Sequence, residues 1–172
     1  MKHIKQPVMS PIDVVILLKI VRQGSDPWFQ QSLASELFIS QSEISKSIKR
    51  SKYAGLIDPT GKKVMRQGLM DFLQYGIRYA FPQKPGPVVR GIPTAHSVPP
   101  LSDEIQSSEA YVWPSATGNV RGHSIAPLYH SVVKAVQHDQ KLHELLALVD
   151  ALRVGRARER NLAVEFLKQR IC

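Results

Sequence analysis

The chain has 172 residues, 43% hydrophobic and 22% charged, which gives enough length and apolar content for one ordinary domain or two small ones. A formal net charge of +9 points to an anionic partner, while the apolar runs are too short to span a bilayer and no lipidation motif accompanies the basic stretches, so no membrane role is expected. The only cysteine, Cys172, excludes an intrachain disulfide, and Met1 to Pro7 has no apolar segment behind it, so the cytoplasm is the expected location.

In chain order, Ser10-Pro11 supplies an N-cap and a proline at the first helical position, and Val14, Leu17, Leu18 and Val21 form a stripe, predicting a helix from about Ile12 to Val21 that Gly24 ends. After the Asp26-Pro27 turn, Trp28 and Phe29 are expected to lock the next helices against the first. Gln30, Gln31 and Ser32 then form a helix N-terminus with an ordinary solvated first turn.

Residues 33–57 carry the most informative pattern. Leu33 and Leu37 lie four apart, Ala34 permits a close crossing, Ile39 sits in a turn, and Ile44 and Ile48 lie four apart on a second helix. Ser40 with Glu43 three residues later forms a capping box for that second helix. Turning 100° per residue from Ile44 puts Ser42, Lys46, Lys49, Arg50 and Tyr53 on its outer face, flanked by Gln41 and Ser45. Amides and hydroxyls at the helix start suit base edges, and cations further along suit phosphates. The expected DNA-binding residues are therefore Gln41, Ser42, Ser45, Lys46, Lys49, Arg50 and Lys52. Lys62 and Lys63 join them, on the return side of a tight Asp58-Pro59-Thr60-Gly61 turn. Exposed lysines at such an edge also protect against aggregation, and both readings apply to that pair.

At these residues the chain resembles bacterial winged-helix regulators of the MarR and ArsR type over roughly residues 10 to 80. The resemblance implies a supporting helix around Leu33 to Leu37, a groove-entering helix from Ser40 to Arg50, and a wing opening at Ala54-Gly55-Leu56-Ile57. Unlike the MarR pattern, no dimerisation helix stands before Pro11.

Beyond the wing, Leu69, Phe72, Leu73 and Ile77 predict a closing helix over residues 67–81, stopped by Pro82. Pro82, Pro85, Pro87, Pro93, Pro99 and Pro100 mark residues 82–108 as an extended, surface-packed connector. Tyr111 to Pro114 and Val120 to Ile125 read as a β-hairpin, followed by helices over 128–136, 141–152 and 157–171 with a break at Gly155. The stripes Leu142, Leu145, Leu146, Val149, Leu152 and Leu162, Phe166, Leu167, Ile171 are expected to pack on each other, on the hairpin or on a second subunit, and this half reads as an interaction module.

The expected fold is thus mainly α with small β. Residues 1–81 form a winged helix-turn-helix domain, 82–108 a connector, and 109–172 a dimerisation or interaction module with a helical hairpin. Lys and Arg outnumber Asp and Glu by 11 to 5 in residues 1–66, by 8 to 5 in 128–172, and balance at 4 each in 67–127, so the basic segment coincides with the reading helix.

His3, His96, His123, His130, His138 and His143 show no metal-ligand spacing, and no phosphate loop or nucleophile motif is present, so no metal, cofactor or catalytic residue is expected. Arg153, Arg156, Arg158 and Arg160 read either as a helix cap with solvated neighbours or as a second anionic surface. The expected function is that of a homodimeric, sequence-specific double-stranded DNA-binding transcriptional regulator, a repressor. The alternative is a protein-interaction module, such as an antitoxin that grips a partner through its C-terminal half and controls its own operon.

Overall fold

Ser10 and Pro11 do start a helix. In the computed structural model, which describes residues 1–172, α1 spans Pro11–Arg22, and the Ser10 amide donates to Asp13 Oδ2 at 2.8 Å. Every residue from Ile12 to Val21 is buried, Asp13 and Lys19 included. A stripe on one face was expected, but Ile12, Val15, Ile16 and Ile20 make the helix apolar nearly all round, and such a helix belongs in the middle of a core.

Two shorter helices, α2 (Gln30–Leu37) and α3 (Gln41–Tyr53), follow, joined by a turn in which Phe38 takes a left-handed conformation at φ 55°. Leu33, Leu37, Ile39, Ile44 and Ile48 are buried as their spacing predicted. Trp28 is half-buried, and its Nε1 donates to the Lys62 carbonyl at 2.8 Å. Phe29, by contrast, is 66% exposed, because it sits at the N-cap of α2 and points away from the core.

After the 57–64 turn the chain forms α4 (Arg66–Tyr75) and α5 (Ile77–Ala80) rather than one helix over 67–81. The break is at Gly76, where a Cβ would stand 3.1 Å from the Phe72 carbonyl and 3.2 Å from its ring.

The segment 82–108 is more ordered than a connector. It holds β1 (Val88–Pro93), a buried turn at Thr94, Ala95 and His96, and α6 (Leu101–Glu104), with Val98, Leu101 and Ile105 in the core. The hairpin expected from residues 111–125 does not form: β2 (Tyr111–Pro114) and β3 (Val120–Ser124) run parallel, and each pairs antiparallel with β1. The three strands close into a miniature barrel. So small a ring brings its strands close at the glycines. Cβ atoms at Gly91 and Gly118 would collide with the backbone of Trp113 and Gly91 respectively.

The last third holds α7 (Val132–Ala135), shorter than predicted, then α8 (Gln140–Val154) and α9 (Ala157–Ile171). Gly155 lets α9 fold back tightly, since a Cβ there would meet the Ala151 carbonyl and stand 2.9 Å from Glu159 Cβ. Like α1, α8 is buried through most of its length, from Leu145 to Arg153.

One hydrophobic core therefore draws on residues from all three expected segments. Within it α1 packs between α3 and α8, α9 packs on α8 and α4, and the barrel rests on α8. Of the coverings open to the stripes of α8 and α9, the chain itself supplies the one seen, α8 against α9 and the rest of the core, with Leu142, Leu145, Leu146, Val149, Leu152, Leu167 and Ile171 all buried. They are not free to form the interface expected of residues 109–172. No helix is long and apolar enough to cross a membrane.

Candidate nucleic-acid interface

The register of α3 follows from its seam. Ile44, Ser47, Ile48 and Ser51 are buried at spacings of three and four, with small serines allowing α1 to approach. The opposite face is left to solvent: Gln41, Ser42, Lys46, Lys49, Lys52 and Tyr53 are exposed and Ser45 is half-buried. Ser40 caps the helix, its Oγ accepting from the Glu43 amide at 3.2 Å. The other half of the expected box is replaced by a loose pairing of Glu43 with Lys46 at 3.7 Å, which leaves the Lys46 side chain 63% exposed.

Arg50 is a correction. Its guanidinium turns inward and forks onto the fully buried Asp13 carboxylate, with Nη2 to Oδ1 at 2.8 Å and Nε to Oδ2 at 2.9 Å. The hydrogen bond to Asp13 raises the Arg50 pKa above its ordinary value, against the cost of burial. Arg50 thus locks α3 to α1, with its fork taken up by Asp13 instead of standing free on the outer face. It holds the outer face of α3 at a fixed angle to α1.

The expected wing is a tight turn with one bridge, Ile57 to Val64. Asp58 organises it: Oδ1 accepts from the Lys62 and Lys63 amides at 3.0 and 2.9 Å, and Oδ2 from Thr60 Oγ1 at 2.7 Å. Those hydrogen bonds, led by the Lys63 amide, lower the Asp58 pKa to about 2. Gly61 has φ 76°, and the Lys52 side chain lies against it, Cδ standing 3.4 Å from where a Cβ would be. Lys52 therefore reaches from the end of α3 to the turn that presents Lys62 and Lys63, both exposed. Beside that turn runs a groove of about 850 Å³, lined among others by Trp28, Phe29, Lys62, Lys63 and Arg66.

The structure thus brings eight of the nine expected residues to the surface of α3 and its adjoining turn, and withdraws Arg50. The arginine cluster does not stay together. Arg153 is buried, bonding Asp150 Oδ1 at 2.9 Å and the Phe81 and Ala126 carbonyls at 2.9 and 3.3 Å. Arg158 donates to the Glu104 carbonyl, Arg160 to the Gly155 carbonyl, and Arg156 is exposed. A common anionic surface from all four is excluded by the burial of the first.

Two buried polar networks escaped the sequence reading. Lys19 Nζ meets Asp139 Oδ2 at 2.6 Å and Glu36 Oε2 at 2.7 Å, and Arg22 joins Asp139 at 2.9 Å. Burial alone would raise the Asp139 pKa, but hydrogen bonds from Lys19, the Leu142 amide and Arg22 hold it below the usual carboxylate value. Asp139 also caps α8, so this network ties α1 and α2 to the start of α8. In the second, Asp150 Oδ2 accepts from Thr94 Oγ1 at 2.6 Å and Trp113 Nε1 at 2.7 Å while Oδ1 faces Arg153. The only hint in the sequence was a lone aspartate within an apolar stripe.

His143 is also placed by the barrel, donating from Nε2 to the Pro93 carbonyl at 2.8 Å beside the Trp113 ring. Burial lowers its pKa below 6.5, with the Pro93 bond and the charges of Asp150 and Glu144 opposing. The unfolded chain then takes up a proton first as pH falls, so stability is expected to drop as pH passes below about 6.5 and to level once His143 titrates in the folded state. His143→Gln keeps a donor for Pro93, and urea unfolding across that range is expected to lose this part of the pH dependence. Identical slopes in the two proteins would contradict it.

No group of three or more His, Cys, Asp and Glu side chains is arranged so that it could hold a metal ion. Comparison with protein-family models, curated proteins and solved structures returned no match to this chain.

Proposed function

We propose that the chain is a double-stranded DNA-binding transcriptional regulator, a repressor, in which α2, α3 and the 57–64 turn act as a winged helix-turn-helix. The observation that carries this reading is the outer face of α3, exposed from Gln41 to Tyr53 and continued through Lys52 onto the lysines of the turn. An α-helix with that face fits a major groove about 12 Å wide. Gln41, Ser42 and Ser45, at the helix start, would meet base edges; Lys46 lies at the border; Lys49, Lys52, Lys62 and Lys63 would meet phosphates. All of these side chains but the half-buried Ser45 are exposed.

With the apolar stripes of α8 and α9 consumed internally, homodimerisation belongs to this proposal through the DNA, as two chains set side by side on paired half-sites. Fluorescence anisotropy with a labelled duplex tests the reading. Lys46→Ala with Lys49→Ala is expected to weaken binding at least tenfold, given about 1–3 kcal/mol for a base-reading contact and less for a phosphate contact. Unchanged affinity would remove α3 from the interface.

A further inference from the structure

On the barrel, β1 and β3 set Arg90 directly opposite Arg121, and both side chains are exposed. Residues paired in this way share one face with Cβ atoms about 4.5–5.5 Å apart, and like charges so placed destabilise a sheet. No ion pair within the chain relieves them. The acid that reaches β3, Glu109, stands 3.9 Å from His123 Nε2. The backbone beneath is fixed by closure of the ring and by the Ser115 amide, which donates to the Arg90 carbonyl at 3.1 Å. Two forked cations are thus held side by side on a stiff support with nothing in the chain to neutralise them.

We propose that Arg90 and Arg121 clamp the phosphate backbone of a nucleic acid, as a second contact separate from α3. Guanidinium forks match phosphate oxygens bidentately, and a phosphate group has enough oxygens to serve both. A small phosphorylated ligand calls for a concave site. The pair is exposed and outside both the groove beside the 57–64 turn and the smaller one between α4 and α9. A polyanion needs no such enclosure, because counterion release drives its binding to exposed cations. Since α1 and α8 lie between α3 and the barrel, a chain engaged at both surfaces joins two segments of nucleic acid. The clamp rests on the DNA reading only for the class of polymer.

The test uses the full chain and random-sequence duplex at several salt concentrations, with a second labelled duplex offered to protein already held on an immobilised one. Arg90→Ala with Arg121→Ala is expected to lower the steepness of log K against log salt by about 1–2 and to abolish capture of the second duplex while the first is retained. Arg90→Lys with Arg121→Lys keeps the charge without the fork, and is expected to keep the slope with weaker capture. An unchanged slope with full capture in the alanine variant overturns the clamp and leaves α3 standing. If the alanine variant loses all binding while Lys46→Ala with Lys49→Ala loses none, the clamp stands and the α3 reading falls. No binding by the unmodified chain at low salt overturns both.

Discussion

Asp150→Ala is expected to lower the free energy of unfolding by about 3–5 kcal/mol, read from urea or guanidinium denaturation. The carboxylate is the shared acceptor of Thr94, Trp113 and Arg153, all buried, and its removal leaves two donors without a partner and a desolvated guanidinium held only by the Phe81 and Ala126 carbonyls. Burial pushes the Asp150 carboxyl up, opposed first by the Arg153 charge and then by the three hydrogen bonds, so the charged form depends on those partners. Because Trp113 belongs to the barrel and Asp150 to α8, barrel and helix are expected to loosen together. A loss below about 1 kcal/mol would mean that the barrel is held by apolar packing alone.

Asp13→Ala is expected to cost a similar amount, about 3–5 kcal/mol, since it strands Arg50 and removes the acceptor for the Ser10 amide. The reverse change, Arg50→Met, leaves the fully buried Asp13 charge with the Ser10 amide alone and is expected to be comparably destabilising. Combining Asp13→Asn with Arg50→Met is expected to recover much of that loss, a coupling that a double-mutant cycle measures. At temperatures where both proteins stay folded, Arg50→Met is expected to leave the salt slope of duplex binding unchanged. A slope lowered by about 1 would return Arg50 to the phosphate-contacting set.

That contrast shows where sequence reading stops. The boundaries of α1, the turn between α2 and α3, the Ser40 cap and the break at Gly155 were legible because each is set by residues within one or two turns of the helix they start or end. Arg50 could not be assigned from its own helix: the 100° rotation put it on the outer face, and the partner that turns it inward lies 37 residues earlier. The barrel was read as a hairpin because adjacent strands usually pair with each other. Here β1, from a proline-rich stretch, takes both partners, and glycine at positions 91 and 118 permits the close packing. The stripes of α8 and α9 were legible, but their covering stayed open between each other, the barrel strands and a second subunit, because a pattern of apolar residues tells that a face is buried and not against what.

The most direct test is the affinity of the unmodified chain for a random duplex between about 50 and 200 mM salt. With Lys49, Lys52, Lys62 and Lys63 on phosphates and Lys46 beside them, α3 and its turn are expected to contribute a slope of about −4 to log K against log salt, near −0.9 for each phosphate neutralised, to which the Arg90 and Arg121 pair adds about −1 to −2. A flat dependence, or no binding at the lowest salt, would contradict the assignment of α3 and its adjoining turn to DNA.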